Sequence, residues 1–73
     1  MQDDFSYEIV KELGTISEYG KYAVRVNKIS FNGNAAKLDI RKWNTEENKM
    51  MKGIALNDDE AKELKKILEQ EYK

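Results

Sequence analysis

The sequence contains no cysteine, no histidine and no proline among its 73 residues. The absence of cysteine and histidine excludes disulfide staples and the usual zinc or imidazole sites, which stabilise many small domains. A chain this short forms one domain, residues 1–73, and buries only about 60% of the surface of its unfolded form. Oligomerisation is the remaining way to enlarge the core, so a partner subunit is expected.

Long apolar runs are also missing. No run approaches the ~20 apolar residues of a membrane span, and the N-terminal residues MQDDFSYE lack a basic region followed by an apolar one. Charged residues make up 37% of the chain. The sequence therefore predicts a soluble protein that is neither exported nor membrane-bound, located in the cytoplasm.

The sequence has few residues in patterns typical of catalytic or cofactor-binding sites. The three serines lie outside any nucleophile-elbow or serine-lysine signature, and the four glycines match neither GxxxxGKS nor GxGxxG. The acidic clusters at residues 46–47 and 58–60 lack the alternating oxygen spacing of a calcium loop. We therefore expect no enzymatic activity, no small-molecule substrate, no cofactor and no metal site.

The net charge of −1 conceals a strong segregation along the chain. Residues 1–19 carry five acids and one base, whereas residues 20–43 carry six bases and one acid, Asp39. Surface potential depends on where charges lie, so the basic middle of the chain can meet a polyanion despite the overall charge.

Residues 5–13 alternate between apolar and polar, which predicts a strand with one buried face. Gly14 is expected to bend this strand, and pairing is expected to continue to Tyr19 before Gly20 turns the chain.

Two β-rich segments, residues 22–31 and 35–43, flank the turn signal Asn32-Gly33-Asn34 and predict a hairpin. A two-residue loop would mix apolar and charged side chains on one face. A three-residue loop pairs Phe31 with Ala35 and sorts the side chains cleanly, so we predict that register. It places on one core face Val24, Val26, Ala36, Leu38 and Ile40.

The opposite hairpin face alternates bases with large apolar groups; it carries Arg25, Asn27, Ile29, Phe31, Lys37, Asp39, Arg41 and Trp43. Cations that follow phosphates and rings that stack on bases are typical of surfaces that bind single-stranded nucleic acid. We therefore expect a nucleic-acid site built from Phe31, Trp43, Arg41, Lys37 and Arg25. The sequence favours single-stranded over duplex nucleic acid as the ligand, because the chain has no basic recognition helix.

Three other interpretations of that face stay open. Phe31 and Trp43 can be core or dimer residues. With Ile29 they can also form a dry contact patch for a partner protein, since Arg and Trp are frequent interface hot spots. The same platform also suits the unstacked bases of RNA.

After a polar loop at residues 44–48, a short strand is expected at about residues 50–56. Asn57 then caps a helix, with Glu60 completing a capping box and two further acids in the first turn. The helix is expected to run to about Tyr72, with one apolar stripe formed by Ala61, Leu64, Ile67, Leu68 and Tyr72.

The string LDIRKW at residues 38–43, then KMMKGIAL at residues 49–56 and the capped helix, resembles a known family. The chain is similar to the single-stranded-DNA-binding domain of the transcriptional coactivator positive cofactor four, and more closely to its small bacterial relatives of the YdbC type. The resemblance covers about residues 22–70. It rests on DIR with a following aromatic and on KGI-x-L.

The resemblance implies an α+β fold, with a curved four-stranded antiparallel sheet followed by one C-terminal helix, assembled as a homodimer. It also implies non-catalytic, largely sequence-independent binding of single-stranded DNA at the nucleoid, in transcription, replication or repair. By residue, it implies that Phe31 and Trp43 stack on bases and that Arg41 and Lys52 meet phosphates, with Lys21 and Arg25 as second candidates.

The chain departs from the family pattern at two places. Ala61 stands where the family often has a large aromatic, and the hairpin turn is Asn-Gly-Asn where the eukaryotic protein is basic. Lys52 is two residues before Ile54 and four before Leu56, so in a regular strand its side chain shares their face. If that face is buried, Lys52 reaches phosphate only from a bulge or an exposed strand end.

Overall fold

In the computed structural model, which describes residues 5–73, four strands form one antiparallel sheet and a helix follows. The elements are β1 (Tyr7–Tyr19), β2 (Tyr22–Phe31), β3 (Lys37–Asn44), β4 (Lys49–Leu56) and α1 (Asp58–Glu71). The sheet order is β1-β2-β3-β4, so each strand pairs with its neighbour in sequence. The predicted α+β fold, with four antiparallel strands and one C-terminal helix, is confirmed.

The predicted register of the central hairpin is confirmed. Arg25 lies opposite Arg41, and the ladder continues to Ile29 opposite Lys37. The pairing stops there, so the connection comprises residues 32–36 and is longer than the predicted three residues. Asn32 and Gly33 have positive φ values of 54° and 77°, the backbone that a tight type I′ turn requires.

The sheet is strongly coiled. Tyr7 pairs with Phe31 and Trp43 pairs with Ala23, eight positions apart on β2, or about 26 Å along a flat strand. The ring centroids of Tyr7 and Trp43 are nevertheless 6.1 Å apart, because two diagonal corners of the sheet curl toward each other. We call the concave side the inner face; it carries Tyr7, Arg25, Asn27, Ile29, Phe31, Asp39, Arg41 and Trp43. The other side is the outer face.

Burial is greatest on the inner face, contrary to the prediction. Its fully buried side chains include Ile29, Trp43 and Asp39. The predicted core face of Val24, Val26, Ala36, Leu38 and Ile40 is only half-buried. The prediction of the buried side was therefore wrong. The coil closes the inner face on itself, whereas in a single chain the outer face is covered only by part of one helix.

Strand β1 is continuous through Gly14 and exposed along its whole length. The predicted buried face of this segment is wrong, whereas the register shift between Glu12 and Gly14 agrees with the predicted bend at Gly14. Among residues 5–73, β1 is an edge strand of the sheet. Its curvature is spread over three register shifts, which lie between Ile9 and Lys11, between Glu12 and Gly14, and between Thr15 and Ser17.

Helix α1 begins with the predicted capping box. The Asn57 side chain accepts from the Glu60 amide at 2.8 Å, and the Glu60 side chain accepts from the Asn57 amide at 2.9 Å. Lys28 of β2 donates to Asp58 at 2.9 Å, and this hydrogen bond lowers the pKa of the Asp58 carboxyl. No residue of α1 is buried, so its apolar stripe is largely open in the single chain.

Candidate nucleic-acid interface

An ion pair occupies the buried centre of the inner face. Asp39 is 0% exposed, and it accepts two hydrogen bonds from Arg41, at 2.7 Å from Nε and 2.6 Å from Nη2. Arg41 also donates from Nη1 to the carbonyl of Met51 at 3.1 Å. The guanidinium is thereby engaged with protein groups, which favours a structural role for Arg41 over direct contact with phosphate.

Gly53 lets β3 and β4 approach closely beside this pair. It lies opposite Arg41, and a Cβ atom added to it would lie 2.0 Å from the Cβ of Arg41. The next pair is Trp43 with Met50, so two residues of β4, Met51 and Lys52, face one residue of β3. Lys52 therefore lies in a β-bulge, and its side chain is exposed, as one of the two predicted alternatives required.

Trp43 is not an open platform. It is 2% exposed, with Tyr7 packed edge-on against it at 6.1 Å between ring centroids. Its indole N–H has no hydrogen-bond partner within residues 5–73. The expectation that this ring lies free to stack on bases is wrong, because the coil brings Tyr7 across it. Ile29 is buried as well, so the predicted contact patch of Phe31, Ile29 and Trp43 is not a surface.

Phe31 lies at the rim of the inner face, half-buried. The Arg41 guanidinium carbon is 5.7 Å from the centroid of the Phe31 ring, and the Phe5 ring is 6.1 Å away. Asn32 holds this corner together, since it exchanges hydrogen bonds of 2.8 and 2.9 Å with Ser6. The rings exposed here are Phe5 at 52% and Tyr7 at 38%; the sequence pattern had assigned them to a buried face.

A second group of rings and cations lies where β1 turns into β2. We call it the tyrosine–lysine cluster, composed of Tyr19, Lys21, Tyr22 and Lys42. The Lys42 ammonium is 4.6 Å from the centroid of the Tyr22 ring and 5.7 Å from that of Tyr19. The Lys21 ammonium is 5.7 Å from the Tyr22 ring. These distances are within the ~6 Å range of cation–π attraction.

The tyrosine–lysine cluster is both accessible and anchored. Tyr19 is 53% exposed. The carbonyl of Lys21 accepts hydrogen bonds from the amide and the hydroxyl of Thr45, at 2.8 and 3.0 Å, which ties the turn to the β3–β4 loop. Of this group, only Lys21 is among the site residues predicted from the sequence. The sequence does contain a signal for the two tyrosines: Tyr19 and Tyr22 stand on either side of Gly20-Lys21, and residues that flank a tight turn face each other.

Next to the cluster is a hollow of about 540 Å³, which we call the lysine hollow; its lining is Lys42, Asn44, Glu47, Lys49, Met50, Met51 and Lys52. Lys42 belongs to both features. The structure therefore places Lys21 and Lys52 in two neighbouring features that share Lys42. It separates them from Phe31, Arg41 and Arg25, which belong to the inner face, and from Lys37, which is exposed at the start of β3.

Among residues 5–73, no three acidic side chains come together as metal ligands. Within the same range, no helix has the length and apolarity to cross a bilayer. The cations and rings of the tyrosine–lysine cluster suit reversible contact with phosphates and bases.

Comparison with known families bears on the class of ligand that this surface binds. Residues 21–67 match the family described as Transcriptional Coactivator p15 (PC4). The chain belongs to this family. PC4 proteins are known for binding single-stranded DNA and for transcription coactivation, through a domain that is not catalytic. The matched segment begins at Lys21 and contains most of the tyrosine–lysine cluster and the whole lysine hollow.

A bacterial relative supports the same assignment. An uncharacterized protein from Treponema pallidum (strain Nichols) is 38% identical over 69 residues, which are 93% of this chain and 81% of the relative. The similarity thus extends beyond the segment matched by the PC4 family model and includes most of β1. The predicted resemblance to PC4-like bacterial proteins is confirmed.

Proposed function

We propose that this chain is a non-catalytic protein of the cytoplasm that binds single-stranded DNA as a homodimer, largely without regard to sequence. In this proposal, the protein acts in transcription, replication or repair at the nucleoid. Membership of the PC4 family supports the ligand class. The observation that carries the proposal is the tyrosine–lysine cluster, where three cation–π contacts hold lysine ammonium groups beside partly exposed rings.

In the proposed mechanism, bases stack on Tyr19 and Tyr22 while phosphates lie near Lys21 and Lys42. Base–aromatic stacking is worth about 1–3 kcal/mol per base and tolerates any sequence. The lysine hollow extends the cationic surface along β4 through Lys49 and Lys52. Neutralising phosphates there releases counterions, which supplies most of the affinity at low salt.

The inner-face rim is the second part of the proposed interface. Phe31 and the exposed Phe5 ring offer stacking surfaces, and Arg25 and Lys37 offer charge. Arg41 and Trp43 act differently in this proposal, since both are engaged inside the sheet. They maintain the coil that gives the two surfaces their relative positions.

A titration with labelled oligonucleotides tests the ligand class. We expect fluorescein-labelled oligo-dT to bind with an affinity that falls steeply with salt, by about 0.7 logarithmic units per tenfold increase in salt for each phosphate neutralised. The matching duplex should bind much more weakly. Fluorescence anisotropy of the label is the suitable readout, because the single tryptophan is buried. Equal affinity for oligo-U would point to RNA as a ligand, and no binding of any strand would contradict the proposal.

The homodimer is proposed to form over the outer face. An apolar groove runs between the sheet and α1; it is lined by Ile16, Val26, Leu38, Ile40, Ala61, Leu64, Lys65, Leu68, Glu69 and Tyr72. Monomeric soluble proteins rarely leave apolar patches larger than a few hundred Å² uncovered. The groove is continuous along the molecule from β1 to α1, and a second copy brings an equally apolar face.

Substituting Leu68 tests the dimer. Size-exclusion chromatography with light scattering is expected to give, for the wild-type protein, a mass twice the chain mass of 8.5 kDa. Leu68→Asp should give a mass closer to one chain, because it places a charge in the groove. Gln70→Asp adds the same charge to α1 outside the groove and should leave the mass at two chains. A wild-type mass of one chain at micromolar concentration would contradict the dimer.

A further inference from the structure

The irregular part of β1 opens a cavity of about 400 Å³ against β2, lined by Ile9, Glu12, Leu13, Gly14, Thr15, Arg25 and Asn27. Two of the register shifts of β1 lie within this lining. A bulge leaves a residue without a partner and bends its strand. The bulges of β1 thus give the edge of the sheet a recess large enough for a small planar group.

The lining of this recess includes the polar side chains of Glu12, Arg25 and Asn27. Asn27 is 4% exposed, yet within residues 5–73 no hydrogen bond involves its side-chain amide, and no ion pair involves Arg25 or Glu12. The Asn27 side chain lines the cavity, and its amide is not among the fully buried unpartnered polar groups of residues 5–73, so it reaches the open space and can hydrogen-bond to a ligand there. Arg25 lies opposite Arg41, whose charge Asp39 already balances. Within residues 5–73, Arg25 is therefore a cation of the inner face without an ion-pair partner.

The spacing of these groups suits a flat ligand. Glu12 pairs with Asn27 and Thr15 pairs with Arg25, so all four side chains leave the same face. Asn27 and Arg25 are two positions apart on β2, which is about 7 Å. A planar ring in the cavity can meet the Glu12 carboxylate at one edge and the Arg25 and Asn27 donors at another.

Among the bases, guanine complements this set best. Its N1–H and N2–H₂ donors match the two oxygens of a carboxylate, and its O6 and N7 acceptors match the fork of an arginine or the amide of an asparagine. Thymine has a single ring N–H and offers a carboxylate only one donor. Single strands present these edges freely, because their bases can be splayed out of the stack.

We propose that the cavity between β1 and β2 is a pocket for one unstacked guanine of a bound DNA strand, with Glu12 accepting from N1–H and N2–H₂ and with Arg25 and Asn27 donating to O6 and N7. This inference rests on the proposed binding of single-stranded DNA and adds a base preference to it. Tyr22 precedes Arg25 by three positions, about 10 Å along β2. A strand held by the tyrosine–lysine cluster can therefore cross the β1 edge within a few nucleotides.

The test compares labelled dT15 with the same strand carrying one central dG, dA or dC, by fluorescence anisotropy at fixed salt. We expect the dG strand to bind about tenfold more tightly than dT15, as for one bidentate base contact. Glu12→Gln should remove most of this preference. Glu18→Gln removes the same charge from an exposed position of β1 outside the cavity, so it should change the dT15 affinity equally and keep the preference.

The outcomes separate the pocket from the function on which it rests. Binding of dT15 without any preference for dG would overturn the pocket and leave the proposed function intact. Equal loss of preference in Glu12→Gln and Glu18→Gln would also overturn it. Failure of every strand to bind would contradict both proposals.

Discussion

Replacing Asp39 by alanine is expected to lower the free energy of unfolding by about 3–5 kcal/mol, the usual cost of removing one partner from a buried ion pair. Asp39 is fully buried and accepts two short hydrogen bonds from Arg41. The Arg41 side chain is only 15% exposed, so water cannot replace the lost carboxylate. Arg25, directly opposite Arg41, adds like-charge repulsion.

Urea unfolding, at one protein concentration because a dimer is proposed, measures this effect. The double variant Asp39→Ala with Arg41→Met should recover part of the loss, since apolar groups often replace a buried pair at little cost. Asp59→Ala, in the exposed first turn of α1, serves as a control and should cost far less. If Asp39→Ala were no more destabilising than Asp59→Ala, the pair would not be the centre of the inner face.

Trp43→Ala is expected to cost about 3–5 kcal/mol, the range for deleting a large buried aromatic. The ring is 2% exposed, with Tyr7 against it and Ala23 and Met50 as its strand partners. Removing it leaves a cavity where two corners of the sheet meet. For a domain of this size, that loss is a large part of the total stability.

Trp43→Phe separates packing from a role in binding. It keeps an aromatic side chain in the core, so it should unfold at only slightly lower urea than the wild type and bind oligo-dT with unchanged affinity. A folded Trp43→Phe protein with several-fold weaker binding would show that the indole contacts bases directly.

Local rules predicted much of the fold. The register of the central hairpin followed from parity alone, because only one pairing of residues 22–31 with residues 35–43 sorts apolar from charged side chains. The helix start followed from Asn57 and Glu60, since a capping box depends on groups three residues apart. Both predictions depend on neighbours in sequence or directly across a turn.

Local sequence rules did not indicate which side of the sheet is buried. The coil that brings Tyr7 onto Trp43 is a property of the whole sheet, produced by twist and by the irregular β1. Alternation in β2 and β3 distinguishes two faces but does not say which one curls inward. The site prediction therefore included Trp43, which is core, and lacked Tyr19, Tyr22 and Lys42, whose proximity arises from two separate turns.

The salt dependence of oligo-dT binding by Lys42→Gln tests the proposed interface most directly, because Lys42 joins the tyrosine–lysine cluster to the lysine hollow. The slope of log affinity against log salt should become shallower by about 0.7, the value for one phosphate contact on a single strand. Lys66→Gln removes an exposed charge of α1, and it should leave both slope and affinity unchanged. A slope for Lys42→Gln equal to that of the wild type and of Lys66→Gln would contradict the assignment of this surface to DNA.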